Sequence, residues 1–130
     1  MKIPEGVKNI LCVCTGGKDR SPVMAEYFRG LGYEAKAVGI SEWHTSQNGT
    51  KWCDAWDLID VTLIVCVSTV HEAFIRGVIR GSAWLTKKRH IRVVKELADE
   101  TRGDDVREWV LGIMREAFPA KEAVCEPKRS

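Results

Sequence analysis

A cysteine and an arginine separated by five residues lie near the start of the chain, in the stretch Cys-Thr-Gly-Gly-Lys-Asp-Arg-Ser. Its small residues allow a tight loop whose backbone N–H groups converge on an anion, and an Arg guanidinium can add a bidentate contact. A cysteine inside such a ring of donors is stabilised as the thiolate, which is a nucleophile at neutral pH. The stretch therefore predicts a phosphate-binding loop in which Cys14 attacks phosphorus and Arg20 holds phosphate oxygens.

The other residues of this stretch are predicted to support phosphate binding. The loop amides would contact the non-bridging oxygens, and Ser21 is placed to donate a hydrogen bond to the thiolate. The two glycines can adopt the positive φ angles that such a loop requires. The predicted phosphate-binding residues are Thr15, Gly16, Gly17, Lys18, Asp19 and Ser21.

The predicted loop lies between a strand and a helix. Residues 9–14 are apolar, as in a buried parallel strand, and Ser21-Pro22 is a typical helix start with Ser as the N-cap. Residues 40–59 lack clean periodicity and are predicted to be a loop with one turn of helix. Further strands are predicted at 34–38, 61–67 and 90–94, and further helices at 71–80 and 106–117.

The alternation of strands and helices predicts an α/β fold. It has a four-stranded parallel sheet with helices on both faces and the phosphate-binding loop after the first strand. In such sheets ligands bind beyond the carboxyl ends of the strands, where this loop would lie. We expect one domain over residues 1–130, with a short leader at 1–8 and a frayed tail at 120–130.

The composition narrows the possible partners and compartments. A net charge of +2 does not favour nucleic acid or a membrane surface, and no apolar run is long enough to span a bilayer. Without a signal peptide, a cytoplasmic location is expected. The five cysteines have neither CxxC spacing nor a zinc pattern, so we expect free thiols, no metal and no cofactor.

The motif and its surroundings resemble the low-molecular-weight protein tyrosine phosphatase family. That family has Cys-x5-Arg-Ser-Pro after its first strand and Ala-Glu in the following helix, which here are Cys14, Arg20, Ser21, Pro22 and Ala25-Glu26. It often has Gly, three residues and Trp-His after the second strand, as in Gly39 to His44. The resemblance implies hydrolysis of phosphotyrosine or similar aryl phosphates, in proteins or small molecules, through a phosphocysteine. It also implies that Trp43 packs on the substrate ring.

The loop departs from the pattern of that family. Gly17 stands where Asn is usual, Asp19 stands where many members have a second cysteine, and one extra residue precedes Ala25-Glu26. The Gly-Lys-Asp-Arg segment is instead similar to the loop of some dual-specificity and phosphoinositide phosphatases. Those enzymes place the cysteine late in the chain, so the order of elements favours the low-molecular-weight architecture.

The sequence does not identify a single residue as the general acid of the reaction. The family uses an Asp, usually followed by Pro, in a loop after the fourth strand. The resemblance implies Asp99, in a segment without Pro. Asp104 and Asp105 are alternatives that could equally cap the next helix.

Three other functions remain open at this point. One is a phosphate- or phosphoprotein-binding module that lacks the acid. Another is thiol-linked arsenate reductase, although the resolving cysteines it needs are missing between Val67 and Val124. A phosphocysteine carrier is disfavoured because Arg20 would promote hydrolysis. The natural substrate and the oligomeric state are not determined by the sequence.

Several residues near the predicted site are given structural roles. His71 lies at a strand-to-helix junction and is expected to cap or pack rather than act as a base. His44 follows Trp43 without a defined role. Cys12 and Cys66 lie in apolar runs and are predicted to be core residues.

Overall fold

The computed structural model describes residues 1–98 and 105–120. Within them, four strands form a single parallel sheet in the order β2-β1-β3-β4: β1 (Asn9–Cys14), β2 (Glu34–Gly39), β3 (Leu63–Cys66) and β4 (His90–Val93). The helices are α1 (Ser21–Gly30), α2 (Glu42–Asn48), α3 (Thr69–Arg80) and α4 (Val106–Ala117), with 3-10 helices at Ala55–Leu58 and Lys95–Ala98. The predicted fold class is confirmed.

Helices cover both faces of the sheet. On one face α1 and α4 pack over β1 and β3, and the rings of Phe28 and Phe118 meet edge to face at 5.2 Å. On the other face Ile75 of α3 packs into a second cluster that includes Leu11 and Ile64. Because β1 and β3 are buried on both sides, their sequences after Asn9 are apolar throughout rather than alternating.

The segment before β1 contributes to the core. Ile3 and Val7 are 1% and 8% exposed and belong to the cluster beneath α1 and α4. The predicted leader at 1–8 therefore packs against the domain up to the start of β1. Of the predicted tail, residues 121–130 lie outside the described part of the chain.

The region 40–59 is more regular than predicted. The prediction of a loop with one turn of helix is wrong, because α2 has seven residues and a 3-10 helix follows at Ala55–Leu58. Polar caps define both elements: the Ser41 side chain accepts the N–H of His44, and Asp54 accepts the N–H groups of Trp56 and Asp57. Since α2 buries only one residue, its sequence has no apolar periodicity that could reveal it.

Residues 51–53 connect these elements and extend the edge of the sheet. The N–H of Gly39 donates to the Lys51 carbonyl and the N–H of Cys53 donates to the Gly39 carbonyl, each at 2.9 Å. This pairing fixes Thr50 and α2 beside the carboxyl end of β1. No helix within the described residues is both long and apolar enough to cross a lipid bilayer.

Candidate active site

The loop that joins β1 to α1 lies at the carboxyl edge of the sheet. Cys14 ends β1, opposite Gly39 of β2, and Ser21 begins α1. The loop borders a cavity of about 290 Å³. The described residues that line this cavity are Cys14, Thr15, Gly16, Lys18, Asp19, Arg20, His44 and Asn48.

Cys14 receives two polar contacts at the base of this cavity. Its Sγ accepts the backbone N–H of Gly17 at 3.2 Å and lies 3.1 Å from Ser21 Oγ. Both groups can donate to a thiolate, as predicted for Ser21. The predicted capping role of Ser21 is wrong, because Arg20 occupies the N-cap position and Ser21 is the first helical residue. The hydroxyl is directed to the sulfur and to the Val38 carbonyl instead.

The carbonyl groups at the start of the loop are held away from the cavity. The Thr15 carbonyl accepts the N–H groups of Ile40 and Ser41, both at 3.0 Å. The Gly16 carbonyl accepts Thr50 Oγ1 at 2.5 Å and Asn48 Nδ2 at 3.3 Å. In a trans peptide the carbonyl and the next N–H point in opposite directions. The amides of Gly16 and Gly17 are therefore directed into the loop, where that of Gly17 donates to Cys14 Sγ and that of Gly16 can bind an anion.

Glycine is required where the loop meets β2. Gly17 has φ of +67°, in the left-handed region that residues with a side chain adopt only at an energetic cost. A Cβ on Gly39 would lie 2.6 Å from the Thr15 carbonyl oxygen and 2.8 Å from the Gly16 carbonyl carbon. A Cβ on Gly16 would lie 2.7 Å from Asn48 Nδ2. The loop can approach β2 this closely because Gly39 has no side chain, whereas the atom that a side chain on Gly16 would meet is the movable end of Asn48 in α2.

Arg20 is anchored from the side of β4. Its Nη1 donates to the Leu97 carbonyl at 2.9 Å, so the 3-10 helix Lys95–Ala98 positions the guanidinium at the cavity. Lys18 and Asp19 are exposed at the cavity rim. Most of the predicted loop residues thus line one cavity, whereas Gly17 and Ser21 do not line it and instead contact the Cys14 sulfur.

His71 contacts the loop from the first turn of α3. Its Nδ1 accepts the backbone N–H of Ser68 at 3.0 Å, which confirms the predicted capping role. Its Nε2 lies 3.0 Å from Thr15 Oγ1, a contact that sequence reasoning did not find. Burial and, to a smaller extent, the charge of Arg20 lower the pKa of His71 to about 4, so the ring is neutral near pH 7.

Helix α2 supplies a polar wall of the cavity. His44 and Asn48 line it, and His44 Nδ1 lies 2.7 Å from Ser41 Oγ. Trp43 is 66% exposed and packs edge to face on His44 with ring centroids 4.9 Å apart. The indole lies beside the residues that line the cavity and is not one of them. Its predicted contact with a substrate ring stays a prediction.

Solved structures match this architecture. The Erwinia amylovora tyrosine phosphatase AmsI has a TM-score of 0.62 and 16% identity, over 92% of this chain and 94% of that one. The Drosophila arginine phosphatase has a TM-score of 0.60 and 14% identity, over 87% and 93%. A low-molecular-weight protein tyrosine phosphatase from T. tengcongensis has a TM-score of 0.52 and 21% identity, over 85% and 97%. No protein-family model matches the chain, and no curated protein matches it significantly.

The chain has the low-molecular-weight phosphatase fold. The resemblance drawn from the Cys-x5-Arg-Ser-Pro motif is therefore confirmed for the fold, which extends over most of the chain in each comparison. At these identities the likeness concerns architecture, and the roles of individual residues rest on the geometry of this chain.

The acid candidates of this low-molecular-weight phosphatase fold are only partly described. Asp99 and Asp104 lie outside the described residues. The Asp105 side chain accepts the N–H of Glu108 at 3.0 Å and is the N-cap of α4, one of the two roles that the sequence allowed. Within residues 1–98 and 105–120, no group of three His, Cys, Asp or Glu side chains could hold a metal ion.

The other described cysteines are buried in this fold. Cys12, Cys53 and Cys66 are free thiols with at most 1% exposure. Burial raises the pKa of Cys66 to about 12 and also raises that of Cys12. Cys12 and Cys66 are therefore the core residues predicted from the sequence. Cys125 lies outside the described residues.

Proposed function

We propose that this protein is a phosphatase that hydrolyses phosphotyrosine or similar aryl phosphate monoesters through a phosphocysteine at Cys14. The observation that carries this proposal is the convergence of the Gly17 N–H and the Ser21 hydroxyl on Cys14 Sγ, at the base of a cavity that Arg20 also lines. These groups stabilise a thiolate where loop amides and a guanidinium can hold a phosphate.

The reaction follows from this arrangement in two steps. The non-bridging oxygens accept hydrogen bonds from the loop amides and Arg20, which leaves phosphorus in line with the sulfur. The Cys14 thiolate forms a bond to phosphorus while the bond to the leaving oxygen breaks, and an acid protonates that oxygen. Water then attacks phosphorus and breaks the bond to sulfur. The Ser21 hydroxyl stabilises the thiolate that is released.

Asp99 is our candidate for the acid, and Asp104 is the alternative. The support for Asp99 is its position two residues after Leu97, whose carbonyl accepts a hydrogen bond from Arg20. Asp105 is already engaged as the N-cap of α4. The acid would protonate the leaving oxygen and then accept a proton from the attacking water.

The substrate class is tested by comparing aryl phosphates with phosphoarginine. The matched structures include a tyrosine phosphatase and an arginine phosphatase, so both a phosphorylated aryl group and a phosphorylated guanidinium are reasonable substrates. The assay therefore compares p-nitrophenyl phosphate, a phosphotyrosine peptide and phosphoarginine. We expect turnover of the first two, which would fit either a phosphorylated protein or a small aryl phosphate as the natural substrate.

The test combines three variants with steady-state kinetics and acid-quench mass spectrometry. Cys14→Ser should lower kcat by at least about 10⁴-fold and abolish the trapped phosphoenzyme. Asp99→Asn should lower kcat by about 10²-fold or more, with the largest effect on poor leaving groups. The control is Cys12→Ala, which removes a buried thiol from the same strand and should keep the activity. Phosphate binding without hydrolysis by the unmodified protein would contradict the proposal and identify a binding module.

A further inference from the structure

The protonation state of His71 is fixed by its contact with Ser68. A backbone N–H can only donate, so the bond from Ser68 N to His71 Nδ1 leaves that ring nitrogen without a proton. His71 is buried and its ring is neutral near pH 7, so the single ring proton is on Nε2. The contact between Nε2 and Thr15 Oγ1 is therefore one in which His71 donates and Thr15 accepts.

This direction determines what the Thr15 hydroxyl can do. Because Nε2 carries a proton, Thr15 cannot donate to it, and the hydroxyl proton must be directed to another acceptor. Thr15 lines the cavity beside Cys14. Its carbonyl is engaged by the N–H groups of Ile40 and Ser41, so the residue is held at both its main chain and its side chain. A phosphate oxygen in the cavity would be the acceptor for this hydroxyl.

We propose that His71 is a positioning residue that turns the Thr15 hydroxyl into a fixed hydrogen-bond donor for the phosphoryl group. The inference rests on the proposed function, because it assigns Thr15 a contact with the bound and transferring phosphate. Thr15 contacts the substrate, whereas His71 acts through Thr15 alone. The neutral ring does this without placing a second charge next to Arg20.

Two substitutions separate this role from helix capping. Thr15→Val removes the hydroxyl at nearly constant shape and leaves His71 and Ser68 in place. His71→Asn keeps a side-chain oxygen that can accept the backbone N–H of the N-cap residue Ser68, but the Asn side chain is too short to reach Thr15. Thr15→Ser retains the hydroxyl and serves as the conservative variant. His90→Asn, at the start of β4 and thus at the opposite edge of the sheet, is the matched control.

The measurements are kcat/KM for p-nitrophenyl phosphate and the Kd of inorganic phosphate. We expect Thr15→Val and His71→Asn each to lower kcat/KM by about 10- to 100-fold, since the first removes the donor to the charged phosphate and the second removes the group that orients this donor. The kcat/KM of the double variant should be no lower than that of the less active single variant. Thr15→Ser should stay within about threefold of the unmodified protein, and His90→Asn should match it.

Two outcomes would overturn the inference. One is a Thr15→Val variant with unchanged kcat/KM and phosphate affinity, and the other is a double variant in which the two losses multiply. If the unmodified protein hydrolyses none of the substrates, the proposed function fails, and the same cycle measured on the Kd of inorganic phosphate still decides whether the pair acts together. Circular dichroism of each variant verifies that the fold is kept.

Discussion

Ser21 is fully buried between two acceptors at the start of α1. Its Oγ lies 3.1 Å from Cys14 Sγ and 3.4 Å from the Val38 carbonyl oxygen, and its single proton can be donated to only one of them at a time. When the sulfur is a thiolate, it is the stronger acceptor because it carries the charge. Ser21 is therefore expected to stabilise both the attacking nucleophile and the leaving thiolate of the second step.

Ser21→Ala should slow both chemical steps while preserving the fold. Loss of one hydrogen bond to a charged sulfur corresponds to a decrease in kcat of about 10- to 100-fold. The rate at which the phosphoenzyme forms in a single turnover should fall as well, since the attacking sulfur loses a charge-assisted hydrogen bond. Ser82→Ala, after the far end of α3, is the control and should change neither rate. An unchanged rate of phosphoenzyme formation in Ser21→Ala would contradict the proposed contact.

Site residues that lie close together in the sequence could be predicted to share a site, whereas contacts between residues that are distant in the sequence could not be predicted. Cys14, Arg20 and Ser21 belong to one short loop, so their spacing alone indicates that they share a site. The contact of Thr50 with the Gly16 carbonyl spans 34 residues and that of His71 with Thr15 spans 56. Such contacts depend on how β2 and β3 flank β1, and no local pattern encodes them.

At the scale of elements, the conformation of the loop that joins β1 to α1 depends on the residue that ends β2. Gly39 pairs with Cys14, and its bare Cα faces the backbone of Thr15 and Gly16. A methyl group there would lie 2.6 Å from the Thr15 carbonyl oxygen and 2.6 Å from Thr45 Cγ2. The oxygen belongs to the main chain and cannot rotate away, so the whole loop must move.

Gly39→Ala adds only one methyl group, but because the loop must move it should strongly impair catalysis. We expect kcat to fall by about 10²-fold, as for a displacement near 1 Å in a catalytic loop, and stability to fall by about 1–3 kcal/mol. Gly77→Ala in α3 is the matched control, because its added Cβ has no neighbour within 4 Å other than the nearby backbone of its own helix. It should increase stability by up to about 1 kcal/mol and leave kcat unchanged. Steady-state kinetics and urea unfolding measure both effects.

Elements with a broad apolar face were predicted well, and those built on polar caps were not. Helix α4 runs from Val106 to Ala117 as predicted, since its apolar residues recur at helical spacing. In α2 only Thr45 is buried, and the helix is defined by Ser41 at one end and Gly49, with φ of +69°, at the other. A capping residue is also a common loop residue, so six polar residues and one exposed Trp between two caps resemble a loop.

At the scale of the molecule, the strand order explains how the site is assembled. From β1 the chain passes through α1 to β2 on one side, whereas β3 lies on the other side of β1. The connections that follow β1 and β3 therefore meet at the point where the order reverses, which is where ligands bind in such sheets. This brings Thr15 to His71. The alternation of strands and helices predicts a parallel sheet, but it does not determine which strand is central.

The same buried histidine connects the stability of the whole domain to pH. In the folded protein the pKa of His71 is lowered to about 4 by burial and the charge of Arg20, whereas its ordinary value is 6.5. Between these values the unfolded chain binds a proton that the folded chain does not, so stability increases with pH in this window. The contribution is complete above the unfolded value and is lost as the pH falls toward 4, by up to about 3 kcal/mol.

His71→Asn removes this titration and is the direct test of it. Urea unfolding of both proteins at about pH 7.5 and about pH 4.5 gives four free energies, and groups that titrate equally in both proteins cancel from their differences. The variant should be less stable near neutral pH, because it loses the contact with Thr15, while its further loss of stability at the lower pH should be smaller by about 2–3 kcal/mol. Equal pH dependence of the two proteins would mean that His71 is protonated normally in the folded state. That result would also remove the basis for assigning the proton of the Thr15 contact to Nε2.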